Sequence, residues 1–145
     1  MTQEPPLKTI RILLVDDNED DVLLTKEAFK EANITSEFLV AQDGVEALST
    51  LRQPNIKQPD MILLDLNMPR KNGRETLAEL KNDPLLKRIP VVVLTTSSSE
   101  DDINSAYDLH ANSFITKPTD FDVFVNTVKN LTSFWFETAQ RPNVL

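Results

Sequence analysis

Five polar side chains stand just beyond short apolar runs. Asp16 and Asp17 follow Ile12-Leu13-Leu14-Val15, Asp65 follows Met61-Ile62-Leu63-Leu64, Thr95 follows Val91-Val92-Val93-Leu94, and Lys117 follows Phe114-Ile115-Thr116. Three carboxylates gathered in one place repel, and each raises the others' pKa unless a cation compensates. A hard divalent cation with oxygen ligands is the natural compensation. Mg²⁺ in particular takes one or two carboxylates, keeps several waters and completes its shell with a phosphate oxygen. Beside such an ion Asp65 could serve as a carboxylate nucleophile and form an aspartyl phosphate. Phosphoryl transfer requires in-line placement and neutralisation of the phosphoryl oxygens. Lys117 can supply part of that neutralisation as a point charge. The Thr95 hydroxyl can donate to a phosphoryl oxygen, and the polar stretch from Thr95 to Glu100 would move with it.

That chemistry exists only if the fold brings the five residues to one edge. Strand-like segments are predicted at 10–15, 37–41, 61–64, 91–94 and 113–116. Four of them are short, mainly apolar runs rather than alternating ones, as expected of strands buried on both faces. Helix-like segments are predicted at 19–32, 44–52, 73–82, 100–109 and 120–135. Asn18 and Asp43 are placed to cap the first two helices, with Glu46 completing a capping box. Ser99 and Thr119 are placed to cap the last two. Five strands alternating with five helices predict an α/β fold with a parallel sheet and helices on both of its sides. Ligands of such sheets bind beyond the carboxyl ends of the strands, which is where the three acids, the hydroxyl and the ammonium fall.

Composition narrows the function. The 145 residues carry a formal charge of -8, which argues against an autonomous nucleic-acid binder. The absence of cysteine removes disulfides and thiolate metal sites and is compatible with a reducing, cytoplasmic setting. No apolar run reaches the length of a membrane span, and the N-terminus has no signal-peptide h-region. Residues 1–8 are expected to form a flexible tail, 9–136 the folded domain and 137–145 a C-terminal tail.

The segments Val15-Asp16-Asp17, Leu64-Asp65-Leu66-Asn67-Met68-Pro69, Gly73, Thr95 and Ile115-Thr116-Lys117-Pro118 resemble the receiver domain of two-component response regulators. Their order and spacing agree from about Ile10 to Lys129. The resemblance implies a doubly wound, flavodoxin-like fold with a five-stranded parallel sheet of order 2-1-3-4-5. It implies that Asp65 is the phosphoacceptor. It implies that Asp17, Asp65 and the backbone carbonyl of Asn67 ligate Mg²⁺, with Asp16 acting through a metal-bound water. Lys117 would pair with the phosphoryl group, Thr95 would be the switch hydroxyl and Phe114 the aromatic switch. The Lys117–Pro118 bond resembles one that is usually cis in the family. A narrower resemblance, carried by residues 66–75, residues 92–97 and Phe134-Trp135, is to single-domain response regulators paired with cyanobacterial phytochromes. It implies a light-regulated histidine kinase as partner, with no attached output domain and no enzymatic turnover beyond self-directed phosphotransfer and slow autodephosphorylation.

The same residues also admit simpler readings. Asp16-Asp17 can be an acidic pair at a helix N-terminus. Asp16, Asn18, Asp20 and Glu27 match EF-hand positions, but Asp21 stands where that loop needs glycine. Asp65-Leu66-Asn67 approximates the Asp-x-Asp of haloacid-dehalogenase-type phosphatases, although Asn67 removes their acid/base. A pseudo-receiver, serving only as an interaction module, is the other alternative. His110 reads as a surface histidine, and Glu19-Asp20-Asp21 as a solvated first turn. Phe121, Phe124, Val125, Val128 and Leu131 form one core-facing stripe. Phe134, Trp135 and Phe136 cannot all join that stripe, because consecutive helical residues point about 100° apart. They suggest a homodimer interface formed with helix 100–109, strand 113–116, helix 120–135 and the tail.

Overall fold

The computed structural model describes residues 9–66, 72–95, 103, 104, 107, 108, 111, 113–118 and 120–133, with the side chain of Thr95 excepted. The strands are β1 (Ile10–Val15), β2 (Ser36–Ala41), β3 (Met61–Leu64), β4 (Val91–Thr95) and β5 (Ser113–Thr116). The helices are α1 (Glu19–Glu31), α2 (Gly44–Leu51), α3 (Gly73–Asn82) and α4 (Phe121–Ser133). Ile103, Asn104, Tyr107 and Asp108 are also helical. They fall within the helix expected over 100–109, whose other residues lie outside the described set. All strand pairs are parallel, as the alternation of segments predicts, and the order is β2-β1-β3-β4-β5, as the family resemblance implies.

The apolar runs form central strands because both of their faces are covered. Ile12, Leu14, Met61, Leu63, Val92 and Leu94 point to one side, where Ala28 and Phe29 of α1 and Phe124, Val125 and Val128 of α4 cover them. Leu13, Val15, Ile62, Leu64, Val91 and Val93 point to the other side, onto Ala47, Leu48 and Leu51 of α2 and Leu77 and Leu80 of α3. Each Val, Leu, Ile, Phe or Met side chain so buried contributes roughly 1.5–3 kcal/mol. The rings of Phe29 and Phe38 meet edge-to-face at 5.3 Å and tie β2 to α1. β2 is an edge strand, and its Leu39 and Val40 remain exposed.

Helix starts follow the capping chemistry. Asn18 accepts from the Asp21 N–H, Asp43 from the Glu46 N–H and Asn72 from the Glu75 N–H. Glu46 reaches back at 3.4 Å to the N–H of Gln42. The last helix departs from expectation. It begins at Phe121, and Asp120 accepts from the Val123 N–H at 3.1 Å, so the capping carboxylate is one residue later than Thr119. Thr119 and Ser99 lie outside the described residues. Phe121 is 36% exposed and is not part of the core stripe, because at the first helical position it lies short of the sheet; the stripe proper is Phe124, Val125 and Val128, with Leu131 packed against it. There is no cis peptide among the described residues, so Lys117–Pro118 is trans, the lower-energy isomer of an X–Pro bond. The expected tails at 1–8 and 137–145 fall outside the described residues.

Candidate functional site

Parallel register aligns the carboxyl ends of the central strands. Val15 pairs with Ala41 on one side and with Leu64 on the other. The ladder continues one residue further, since the Asp16 N–H donates to the Ala41 carbonyl at 2.9 Å and the Asp65 N–H to the Val15 carbonyl at 3.0 Å. Both acids are therefore held by sheet hydrogen bonds at their own backbone. Thr95 and Thr116 pair as the final residues of β4 and β5, which puts Lys117 one step beyond that same edge. On its far side the Asp65 backbone is backed by Gly73. The Gly73 N–H donates to the Leu66 carbonyl at 3.0 Å, and a Cβ at position 73 would lie 2.4 Å from the Asp65 carbonyl oxygen. Only a residue without Cβ permits that approach.

The side chains converge as the topology requires. Lys117 Nζ lies 2.6 Å from Asp16 Oδ2, 3.2 Å from Asp21 Oδ2 and 3.9 Å from Asp65 Oδ2. Asp16 is 2% exposed and Asp65 9%. Burial pulls the Lys117 ammonium below its ordinary value of 10.5, but the hydrogen bond to Asp16 and the charges of Asp16, Asp65 and Asp21 outweigh it. The net effect holds Lys117 above 10.5. Asp16 Oδ1 also accepts from the Asn18 N–H at 3.0 Å, which orients this carboxylate toward the edge. Asp16, Asp17 and Asp65 each offer a carboxylate oxygen, and the three oxygens lie within 4.8 Å of one another. Three acids against one ammonium leave an excess of negative charge, and an all-oxygen donor set of this kind suits a hard divalent cation rather than a soft one.

The structure thus brings together Asp16, Asp17, Asp65 and Lys117. Thr95 ends β4 beside them, placed by its backbone. Phe114 is half-buried in β5 and packs against the core cluster on the α2/α3 side. Asn67, Phe134, Trp135, Phe136 and His110 lie outside the described residues. The residue that sequence reasoning missed is Asp21. It is not simply part of a solvated turn, because its carboxylate shares Lys117 with Asp16. A signal for it was present in the sequence. A helix that starts two residues after an acidic pair begins at the same sheet edge, so its first turn overhangs the pocket.

Comparisons with known proteins agree with this geometry. Residues 12–129 match the response regulator receiver domain family. The response regulator Rcp1 of Synechocystis is 46% identical over 135 residues, covering 90% of this chain and 92% of Rcp1. The crystal structure of the phosphorylated cyanobacterial phytochrome response regulator RcpA superposes with a TM-score of 0.86 at 48% identity, over 94% of this chain and 100% of RcpA. The Mn²⁺-bound form of Rcp1 superposes with a TM-score of 0.82 at 45% identity, over 92% of this chain and 99% of that one. With a five-stranded sheet of the same order and an acid cluster faced by lysine at its carboxyl edge, the chain belongs to the response regulator receiver domain family.

Proposed function

We propose that this receiver domain takes a phosphoryl group from a histidine kinase onto Asp65 and uses the change to switch protein–protein contacts. The observation that carries the reading is the placement of Lys117 Nζ against Asp16 and Asp65, beside an acid cluster whose oxygens lie within 4.8 Å of one another. A carboxylate oxygen of Asp65 attacks the phosphorus of a phosphohistidine. The P–N bond breaks, its electron pair leaves on the imidazole nitrogen, and an acyl phosphate forms. Lys117 lies close enough to neutralise the new phosphoryl oxygens, and Asp65 is held in line by the ladder hydrogen bond to Val15. Mg²⁺ fits this acid cluster, with Asp17, Asp65 and the Asn67 carbonyl as its ligands and Asp16 acting through a metal-bound water, and when bound it would neutralise phosphoryl charge.

Thr95 and Phe114 are the proposed switch pair. Phosphorylation adds roughly two negative charges at Asp65, which draw in the Thr95 hydroxyl, and Phe114 repacks against the core it already touches. The likeness to RcpA and Rcp1 supports a phytochrome-type sensor kinase as donor. A homodimer through the helix expected over 100–109, β5, α4 and the C-terminal tail with Phe134, Trp135 and Phe136 completes the proposal. Sedimentation at micromolar concentration is its check, and a monomer under those conditions would count against it. The core test is titration with beryllofluoride and Mg²⁺, and labelling by acetyl phosphate. Wild type should respond only when Mg²⁺ is present, and Asp65→Asn should not respond. Equal behaviour of the two proteins would end the phosphoacceptor reading.

A further inference from the structure

The ammonium of Lys117 has three N–H donors, and their present distribution is uneven. Asp16 takes one at 2.6 Å and Asp21 another at 3.2 Å. Asp65 Oδ2 is 3.9 Å away, beyond hydrogen-bonding range. The lysine therefore leans toward β1 and α1 and away from the residue that would carry the phosphoryl group. The two acids that hold it there differ. Asp16 belongs to the metal-capable cluster, so a bound dication would share its charge. Asp21 is not among that cluster, and its pull on Lys117 would persist in the metal-loaded protein. Its backbone is fixed from both sides. The N–H donates to Asn18 Oδ1 at 3.0 Å, and the carbonyl accepts from the hydroxyl of buried Thr25 at 2.8 Å. With its backbone so held, the carboxylate can follow the lysine only as far as its own side-chain rotation allows.

We propose that Asp21 is a positioning residue that tethers Lys117 on the α1 side of the pocket and opposes its transfer to a phosphoryl group on Asp65. The proposal deepens the phosphoacceptor reading and rests on it. Asp21 acts in two ways of the same sign. It competes for the ammonium, and its charge repels the added phosphoryl charge. The tether sets the balance between the resting and phosphorylated states without touching phosphate or metal.

The test uses the full chain, with Mg²⁺ at saturation and beryllofluoride as the phosphoryl mimic, comparing wild type, Asp21→Asn and Asp21→Glu. Asp21→Asn keeps the backbone hydrogen bonds of the turn and removes only the charge. It should bind beryllofluoride about three- to tenfold more tightly, as expected for loss of one partly exposed, charge-assisted contact. Asp21→Glu, which restores the charge, should return toward wild type. A second readout is the ¹⁵N–¹H signal of the Lys117 ammonium in metal-free protein. It should be protected from exchange in wild type and less protected in Asp21→Asn, where the bond to Asp16 remains, a change that a merely structural role for Asp21 would not produce. A wild type that responds to beryllofluoride while Asp21→Asn binds no more tightly, or shows undiminished ammonium protection, would overturn the tether. A wild type that ignores beryllofluoride would overturn the phosphoacceptor reading, and the tether with it.

Discussion

Replacing Gly73 with alanine tests whether the Asp65 backbone is held in place from behind. The added Cβ would lie 2.4 Å from the Asp65 carbonyl oxygen, 2.5 Å from Leu66 Cα and 3.0 Å from the Asp65 carbonyl carbon. Ordinary contact begins near 3.4 Å, so about 1 Å must be found. The atoms in the way are main chain, not the tip of a flexible side chain. They are fixed by the Asp65 N–H bond to Val15 and the Gly73 N–H bond to Leu66. Overpacking of this kind costs about 1–3 kcal/mol. Alanine regains at most ~1 kcal/mol of helix propensity, and less at the first residue of α3. The net loss should lower the melting temperature by roughly 2–8 °C for a domain of this size. The effect on the site should be larger, because a shift of about 1 Å in a reacting group can weaken function by ~100-fold. Calorimetric melting and Mg²⁺-dependent beryllofluoride titration of Gly73→Ala should show both effects, with affinity down by roughly ten- to a hundredfold. A variant that melts with wild type and binds beryllofluoride equally well would refute the claim that this close approach positions Asp65.

Two further outcomes follow from the packing and the charges. Phe29→Ala removes a fully buried ring and its edge-to-face partner contact with Phe38, and should cost about 3–5 kcal/mol in a urea melt; a loss below ~1 kcal/mol would show that β2 does not depend on this ring. In metal-free protein Lys117 is held above 10.5, so the folded state keeps its proton longer than the unfolded chain does. The stabilisation from this group is therefore complete below pH 10.5 and is lost as pH rises through the raised value. Urea melts on either side of pH 10.5 should show wild type losing stability more steeply than Lys117→Met, and parallel curves would refute the coupling.

The sheet was legible because its signal is short-range. Residues 61–64 and 91–94 are short and apolar without alternation, as a strand covered on both faces requires, and alternating such strands with helices gives a parallel sheet; its order 2-1-3-4-5 was legible only through the family resemblance. The acids and the lysine were legible because each directly follows such a run. What escaped depends on facts a linear pattern does not hold. The start of α4 slipped by one residue because Asp120 competes with Thr119 for the same role, and both are good caps. Phe121 has the right spacing for the core stripe but lies before the helix reaches the sheet. Asp21 looked like one more acid in a charged turn, and only its distance from a lysine 96 positions away distinguishes it from Glu19 and Asp20.

The bond between Asp16 and Lys117 joins residues 101 positions apart, the first strand to the end of the last. A contact of such long sequence separation carries a high loop-closure cost before it is rewarded. A chain with β1 and β3 paired but β5 unpaired would hold both acids with no Lys117 beside them. The pocket is therefore complete only when the final strand is in place. Incorporation of phosphorus by a freshly refolded sample measures not only the site but the fraction of molecules that have finished folding.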